Sequence, residues 1–411
     1  MLSTTLSKKI ILILIPVLSL FFGFILQEDL STGGAQIDFS RTFPAVTDFS
    51  NFIFNTTHQY TRHFPLHYFI LSIPHLIFDN IFFTKLFYLF FSLLLPFLVY
   101  LITSKLYPDY RFNCFLISIS LLFLPFYRAS SIWPNVHLTA LIFLLSAHYF
   151  YIIGLTSNKF FYKFLNIFFL SLATYSVQSY VVFFIYYLSY YYRNESLKTI
   201  FILLIFCVIF SIPGFYILLT TNIGPRLNFT SNLSYTIITN FSIIFFCFLF
   251  FLFNKDNLTE IKNILFKFNK YEIIILISFF ILLLFTYENY HLYGGGFFYK
   301  LSNVIFGNKY LFYLTGFLGI TIFYVFYKID KNIFYMVLLV NFSAIAYFTS
   351  QKYFEPILIV LIFVLNKNTF SKNIISNVFN TAVFYYLTMG YFIVALINKN
   401  YGFSKGLLFV N

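Results

Sequence analysis

The sequence predicts an all-α fold, a polytopic transmembrane helical bundle, and three observations carry that prediction. Hydrophobic residues make up 60% of the 411 and charged residues 9%, with a mean hydropathy of +0.84. A soluble core of this size cannot enclose so many apolar side chains, so many of them must face lipid. The apolar residues form continuous runs rather than the alternating strands of a barrel, and a helix satisfies its own backbone hydrogen bonds in lipid. The charges fall almost wholly between the runs.

The runs place about thirteen membrane helices, at 10–26, 82–103, 112–126, 136–155, 164–174, 180–192, 200–218, 237–253, 271–286, 309–327, 332–349, 353–366 and 377–397. The first follows Lys8 and Lys9 and has no small-residue cleavage site behind it, so it reads as a retained helix and not a signal peptide. The runs at 164–174, 180–192 and 353–366 are shorter than the roughly 20 residues of a full span and are expected to be tilted, broken or half-buried around a cavity. Phe64 to Phe78, interrupted by Pro65 and Pro74 and carrying His67 and His75, reads as a helix lying in the interface. With that helix left out of the spans, the basic segments 105–111, 159–163, 193–198 and 254–270 all fall inside, as the positive-inside rule requires. The outer segments are then 27–81, 127–135, 175–179, 219–236, 287–308, 350–352 and the C-terminal tail, the expected site of a single domain over 1–411.

Composition excludes several classes. The net charge of +13 comes from scattered Lys and Arg with no continuous basic stripe, which argues against nucleic acid. Cys114, Cys207 and Cys247 lie inside apolar runs without paired spacing, so neither a disulfide framework nor a zinc site is expected. The 65 Phe fit an AT-rich genome and supply lipid-facing bulk and interface belts.

The outer segments hold the chemically distinctive residues. Glu28, Asp29 and Asp38 follow the first helix directly, with Gly33 and Gly34 between them allowing a sharp turn. A carboxylate at the lip of an apolar cavity is partly desolvated and suits a general base; Glu28 and Asp29 also suit the water end of a helix. Arg62 and His63 offer a planar donor fork and an imidazole to a phosphate, or anchor the chain to lipid headgroups. His58, His63 and His67 have irregular spacing for a metal, which is not favoured. Arg128 stands alone in an apolar region, where an anionic partner is expected, and Trp133, the only Trp, offers either a sugar-stacking face or an interface anchor. Gln178 lies at a polar hairpin tip between two short helices. Glu288, Tyr290 and His291 interleave polar groups with aromatics before three glycines, a pattern that suits carbohydrate better than a nucleotide. Lys352 lies at the membrane lip, and Glu355 just inside it, where a carboxylate is either functional or paired with Lys352.

The order of these features resembles the GT-C membrane glycosyltransferases, most closely the branch of the dolichyl-phosphate-glucose alpha-1,2-glucosyltransferases. The likeness rests on the acidic motif from Glu28-Asp29 to Asp38, the FPLHY helix, the hairpin with Gln178, the YENYHLYGGGFFYK segment and the late QKYFEP, and spans nearly the whole chain. That branch has an adjacent Asp-Glu where this chain has Glu28-Asp29, which leaves open which of Glu28, Asp29 and Asp38 is the base. The resemblance implies a metal-independent inverting hexosyl transfer from a polyprenyl-phosphate carrier to a glycan or lipid-linked acceptor, with no cofactor. It implies donor-phosphate binding by Arg128, Arg62, His63 and Lys352, and sugar or acceptor contacts from Trp133, Gln178, Glu288, Tyr290 and His291. The expected location is a bacterial inner membrane with the site facing the periplasm. A surface-polysaccharide polymerase or ligase and a lipid-linked-glycan transporter are the alternatives. A transporter predicts internal repeats and charges near the midplane, neither of which the sequence displays.

Overall fold

The structure is a computed structural model and describes residues 2–31, 34–54, 61, 63–157, 159–220, 233–286, 296–343, 351, 354–365 and 367–401. The described residues are all-helical, with no strand among them. Five helices are long and apolar enough to cross a membrane: Ile81–Leu106, Val136–Ser157, Leu197–Thr220, Tyr310–Ile329 and Val378–Asn400. Three broken pairs raise the number to as many as eight, among them Lys255–Leu265 with Lys270–Phe285, bent by 101°. These spans make the chain a membrane protein by length and composition.

The breaks have local causes. The turn between Lys255–Leu265 and Lys270–Phe285 is set by Asn269, whose side chain accepts the Glu272 N–H while Glu272 bonds back to the Asn269 N–H, a reciprocal cap that starts the second helix. Pro125 opens the Pro125–Ile132 helix, where its missing N–H costs nothing. Residues 127–132, expected in an outer loop, are therefore helical. The expected interfacial segment is a helix over Leu66–Phe78, with Pro74 inside it and Asp79 in the left-handed region at its end.

The chain divides into two compact units. One comprises Met1–Val17, Thr103–Phe126 and Leu227–Asn411. Its centre is the close approach of Leu233–Leu252 to Tyr310–Ile329: a Cβ on Gly319 would lie 1.9 Å from the Phe241 carbonyl oxygen, and Ser242 and Thr315 share a hydrogen bond of 2.9 Å. Small residues let backbones meet in this way where lipid supplies no hydrophobic drive.

The other unit comprises Leu18–Ile102 and Tyr127–Arg226. Its polar side chains are paired within the helices: Lys163 bonds Glu195 at 2.6 Å, and Asn166 bridges the Ala147 carbonyl and the Tyr191 hydroxyl. On Leu197–Thr220, Pro213 interrupts the backbone ladder, and the Tyr175 hydroxyl enters the adjacent rung. It accepts from the Gly214 N–H at 2.8 Å and donates to the Phe210 carbonyl, which an uninterrupted helix would join directly.

Candidate functional site

The candidate residues that the structure describes lie in the second unit, beginning where Leu2–Ile25 stops. Gln27 takes φ 51°, and the Glu28 N–H reaches back to the Gly23 carbonyl at 2.8 Å, the six-to-one bond of a Schellman stop. This turn aims Glu28 and Asp29; the expected turn at the glycine pair falls partly on Gly33, which lies outside the described residues. The Gln27 amide donates to the Phe24 carbonyl at 3.0 Å, and its oxygen accepts from the Lys85 ammonium. Those bonds hold a non-glycine residue in a backbone region that it rarely adopts.

Beyond the turn, Glu28 meets Arg128 in a two-point fork. Arg128 Nε donates to Oε1 at 2.8 Å and Nη2 to Oε2 at 3.0 Å, while Nη1 and Nη2 also reach Ser19 Oγ and the Ser19 carbonyl at 3.0 and 2.8 Å. Arg128 is fully buried, and Glu28 is 6% exposed. Such a pair persists only with both charges and their hydrogen bonds in place. Gly23 makes room for it, since a Cβ there would lie 2.7 Å from Arg128 Nη2. The expectation of a lone guanidinium awaiting an external anion is thus corrected: the chain supplies the anion itself.

Trp133 is also occupied. Its Nε1 donates to the Glu28 carbonyl at 3.1 Å, and the Lys85 ammonium sits 3.3 Å from its ring centroid. The indole is 8% exposed, so it offers no open face on which a sugar ring could stack.

Asp29 fixes the next element. Its Oδ1 accepts from the Ser31 N–H and hydroxyl, and its Oδ2 from the Gln36 N–H at 2.8 Å, while Ser31 Oγ accepts from the Ala35 N–H at 2.7 Å. Two donors in the first turn of Gly34–Thr42 are satisfied in this way, and the carboxylate complements the positive helix terminus. Asp38 lies one turn farther along the same helix and is half-buried. Its field reaches Tyr68, whose hydroxyl donates to Thr61 Oγ1 at 2.8 Å.

A group of imidazoles follows Thr61. The His63 and His137 rings meet edge-on with centroids 5.2 Å apart, and both residues are half-buried. His67 is buried, and that burial, with His63 as a second cause, holds its imidazole down at about 3. Its Nδ1 lies 2.8 Å from Thr139 Oγ1, Thr139 Oγ1 lies 2.9 Å from the Tyr88 hydroxyl, and Tyr88 donates to the Asn135 carbonyl at 2.7 Å. Because a carbonyl only accepts, Tyr88 must spend its proton there, Thr139 must donate to Tyr88, and neutral His67 must donate from Nδ1. Among the described residues no group of three or more His, Cys, Asp or Glu is placed to hold a metal.

Gln178 is half-buried at the start of the 3₁₀ turn Gln178–Val182, just after Phe160–Ser176 ends. Arg62, Lys352, Glu288, Tyr290 and His291 lie outside the described residues, as does His58. Sequence reasoning missed Lys85, Tyr88, Thr139 and Tyr175. For Lys85 a signal existed, a single cation inside the apolar run IFFTKLFYLFF.

No protein-family model matches the chain, and no curated protein or solved structure matches it either.

Proposed function

We propose that the chain is a GT-C-type membrane glycosyltransferase that moves a hexose from a polyprenyl-phosphate carrier to a glycan or lipid-linked acceptor at the outer face of a bacterial inner membrane. The reading includes the approximately thirteen-helix topology inferred from the apolar runs. The observation that carries it is the sorting of the acidic cluster by exposure. Glu28 and Asp29 are buried, whereas Asp38 is half-buried on a helix that Asp29 anchors. A base must reach its proton, so Asp38 is the base in this reading and the other two carboxylates are scaffold.

In the proposed step the acceptor hydroxyl oxygen bonds the anomeric carbon as its proton passes to the Asp38 carboxylate. The bond from the anomeric carbon to the phosphate oxygen breaks, and polyprenyl phosphate leaves with the electron pair. Direct displacement inverts the anomeric centre. Charge grows on the leaving phosphate, so donors aimed there accelerate the reaction. With Arg128 committed to Glu28, that role falls, among the described residues, to His63, and an acceptor contact to Gln178; the expectations for Arg62, Lys352, Glu288, Tyr290 and His291 lie outside the described residues.

The test is incubation of the purified full-length protein with short-chain polyprenyl-phosphate hexoses and a panel of lipid-linked acceptors. Release of polyprenyl phosphate that requires Asp38 supports the reading. Release that persists in Asp38→Asn removes Asp38 as the base, and absence of release with every hexose tried counts against glycosyl transfer.

A further inference from the structure

The first unit contains a carboxyl group that the proposed reaction does not use. Glu355 opens the Glu355–Val364 helix and is 0% exposed. Its Oε2 accepts from Gln351 Nε2 and from the Tyr391 hydroxyl, each at 2.8 Å. The Gln351 amide is fixed in that orientation because its own oxygen accepts the Phe297 N–H at 2.7 Å. Oε1, in contrast, is buried and has no partner with hydrogen-bond geometry, although the Phe126 N–H contributes to its electrostatic surroundings. Among the described residues Glu355 makes no ion pair, and the titratable groups that face it are Tyr391 and Cys247. Phe246, in ring contact with both Tyr391 and Phe297, closes the aromatic wall beside this carboxyl and amide. Lys352 lies outside the described residues.

The two oxygens are therefore unlike. Oε2 has both acceptor positions filled, while Oε1 has no donor that meets hydrogen-bond geometry, the Phe126 N–H acting on the carboxyl only from outside it. An ionised carboxylate in this setting spreads its charge onto an oxygen that no donor of full hydrogen-bond geometry meets, and a buried charge with no ion pair among the described residues is disfavoured far more than a neutral hydroxyl lacking one acceptor. Carboxyls inside membrane segments mark proton-handling sites for the same reason.

We propose that Glu355 is a proton-binding site, in which the carboxyl group holds a proton on Oε1 at neutral pH while Gln351 and Tyr391 keep Oε2 as the acceptor. No bond other than O–H forms or breaks; the proton comes from water and returns to it. The site stands independently of the glycosyl-transfer reading.

Infrared difference spectroscopy of the purified full-length protein tests this directly. Wild type minus Glu355→Gln at neutral pH is expected to contain the carbonyl stretch of a protonated carboxylic acid, moving to lower frequency in heavy water. A difference that contains only carboxylate stretches overturns the proposal. Tyr391→Phe provides a second reading that leaves the carboxyl in place: losing one donor to Oε2 should move the same band to higher frequency, and a band that stays where it was does not belong to Glu355. If Glu355→Gln fails to fold, the Tyr391→Phe shift decides alone.

Discussion

Arg128 and Glu28, a hundred residues apart in sequence, form a two-point ion pair in the interior of the second unit, and Ser19 takes the remaining reach of the guanidinium. Removing one partner leaves the other charge buried, so Glu28→Gln and Arg128→Ala should each cost about 3–5 kcal/mol. Arg128→Lys should also be damaging, because an ammonium lacks the fork. Gly23→Ala should destabilise through the same pair. Thermal unfolding in detergent checks all four, and a wild-type midpoint in Arg128→Ala would contradict the structural role.

Asp38 and Asp29 should separate cleanly. Asp38→Asn is expected to reduce transfer by roughly 10²- to 10⁴-fold with folding unchanged. Asp29→Asn should instead lower stability, since the cap on Gly34–Thr42 loses its charge. Steady-state turnover set beside unfolding midpoints distinguishes the two, and equal loss of stability in both variants would remove the division of labour.

Tyr175 and Pro213 should prove coupled. Tyr175→Phe alone leaves the Phe210–Gly214 rung without its bridging hydroxyl and should cost about 1 kcal/mol. In a Pro213→Ala background the helix can close that rung directly, so the same change should cost less. Additive costs in the double variant would show that the hydroxyl does not act through the ladder.

His67 gives the second unit an acid sensitivity. The folded imidazole stays neutral down to about 3, whereas the unfolded one takes a proton near 6.5. Below 6.5 the unfolded state binds more protons, so stability is complete above that value and falls as the pH drops towards 3, by at most about 1.4 kcal/mol per pH unit. Unfolding midpoints across this range should decline less steeply in His67→Gln. Parallel curves would assign the sensitivity to another group.

Topology is open to labelling. A cysteine placed at Asn263, within the basic segment 254–270, should resist an impermeant thiol reagent in intact cells, and one placed at Asn51 should react. Reaction at Asn263 would invert the assignment.

Much of the helical layout was legible because lipid imposes long apolar runs. The run at 136–155 is the helix Val136–Ser157, and the run at 271–286 is the helix Lys270–Phe285. The pairing inside the site was not. Arg128 reads as solitary in sequence because Glu28 is so distant along the chain, and nothing local distinguishes a salt bridge from an empty anion site. Trp133 was misjudged for a related reason: Lys85, the cation over its ring, arrives from a different helix. Asp38 stood out as acidic, but its half-exposure depends on how Gly34–Thr42 is anchored, which only three dimensions reveal.

The row from His67 through Thr139 and Tyr88 to Asn135 has a fixed polarity, and this restricts proton traffic. Its last member is a carbonyl with no hydrogen to give, so every link points one way, and a proton pushed in at His67 Nδ1 would have to end on an amide oxygen. The row is a dead end for protons. Any exchange that His67 takes part in must pass through Nε2, on the opposite edge of its ring, and the row's service is to keep that edge a lone pair.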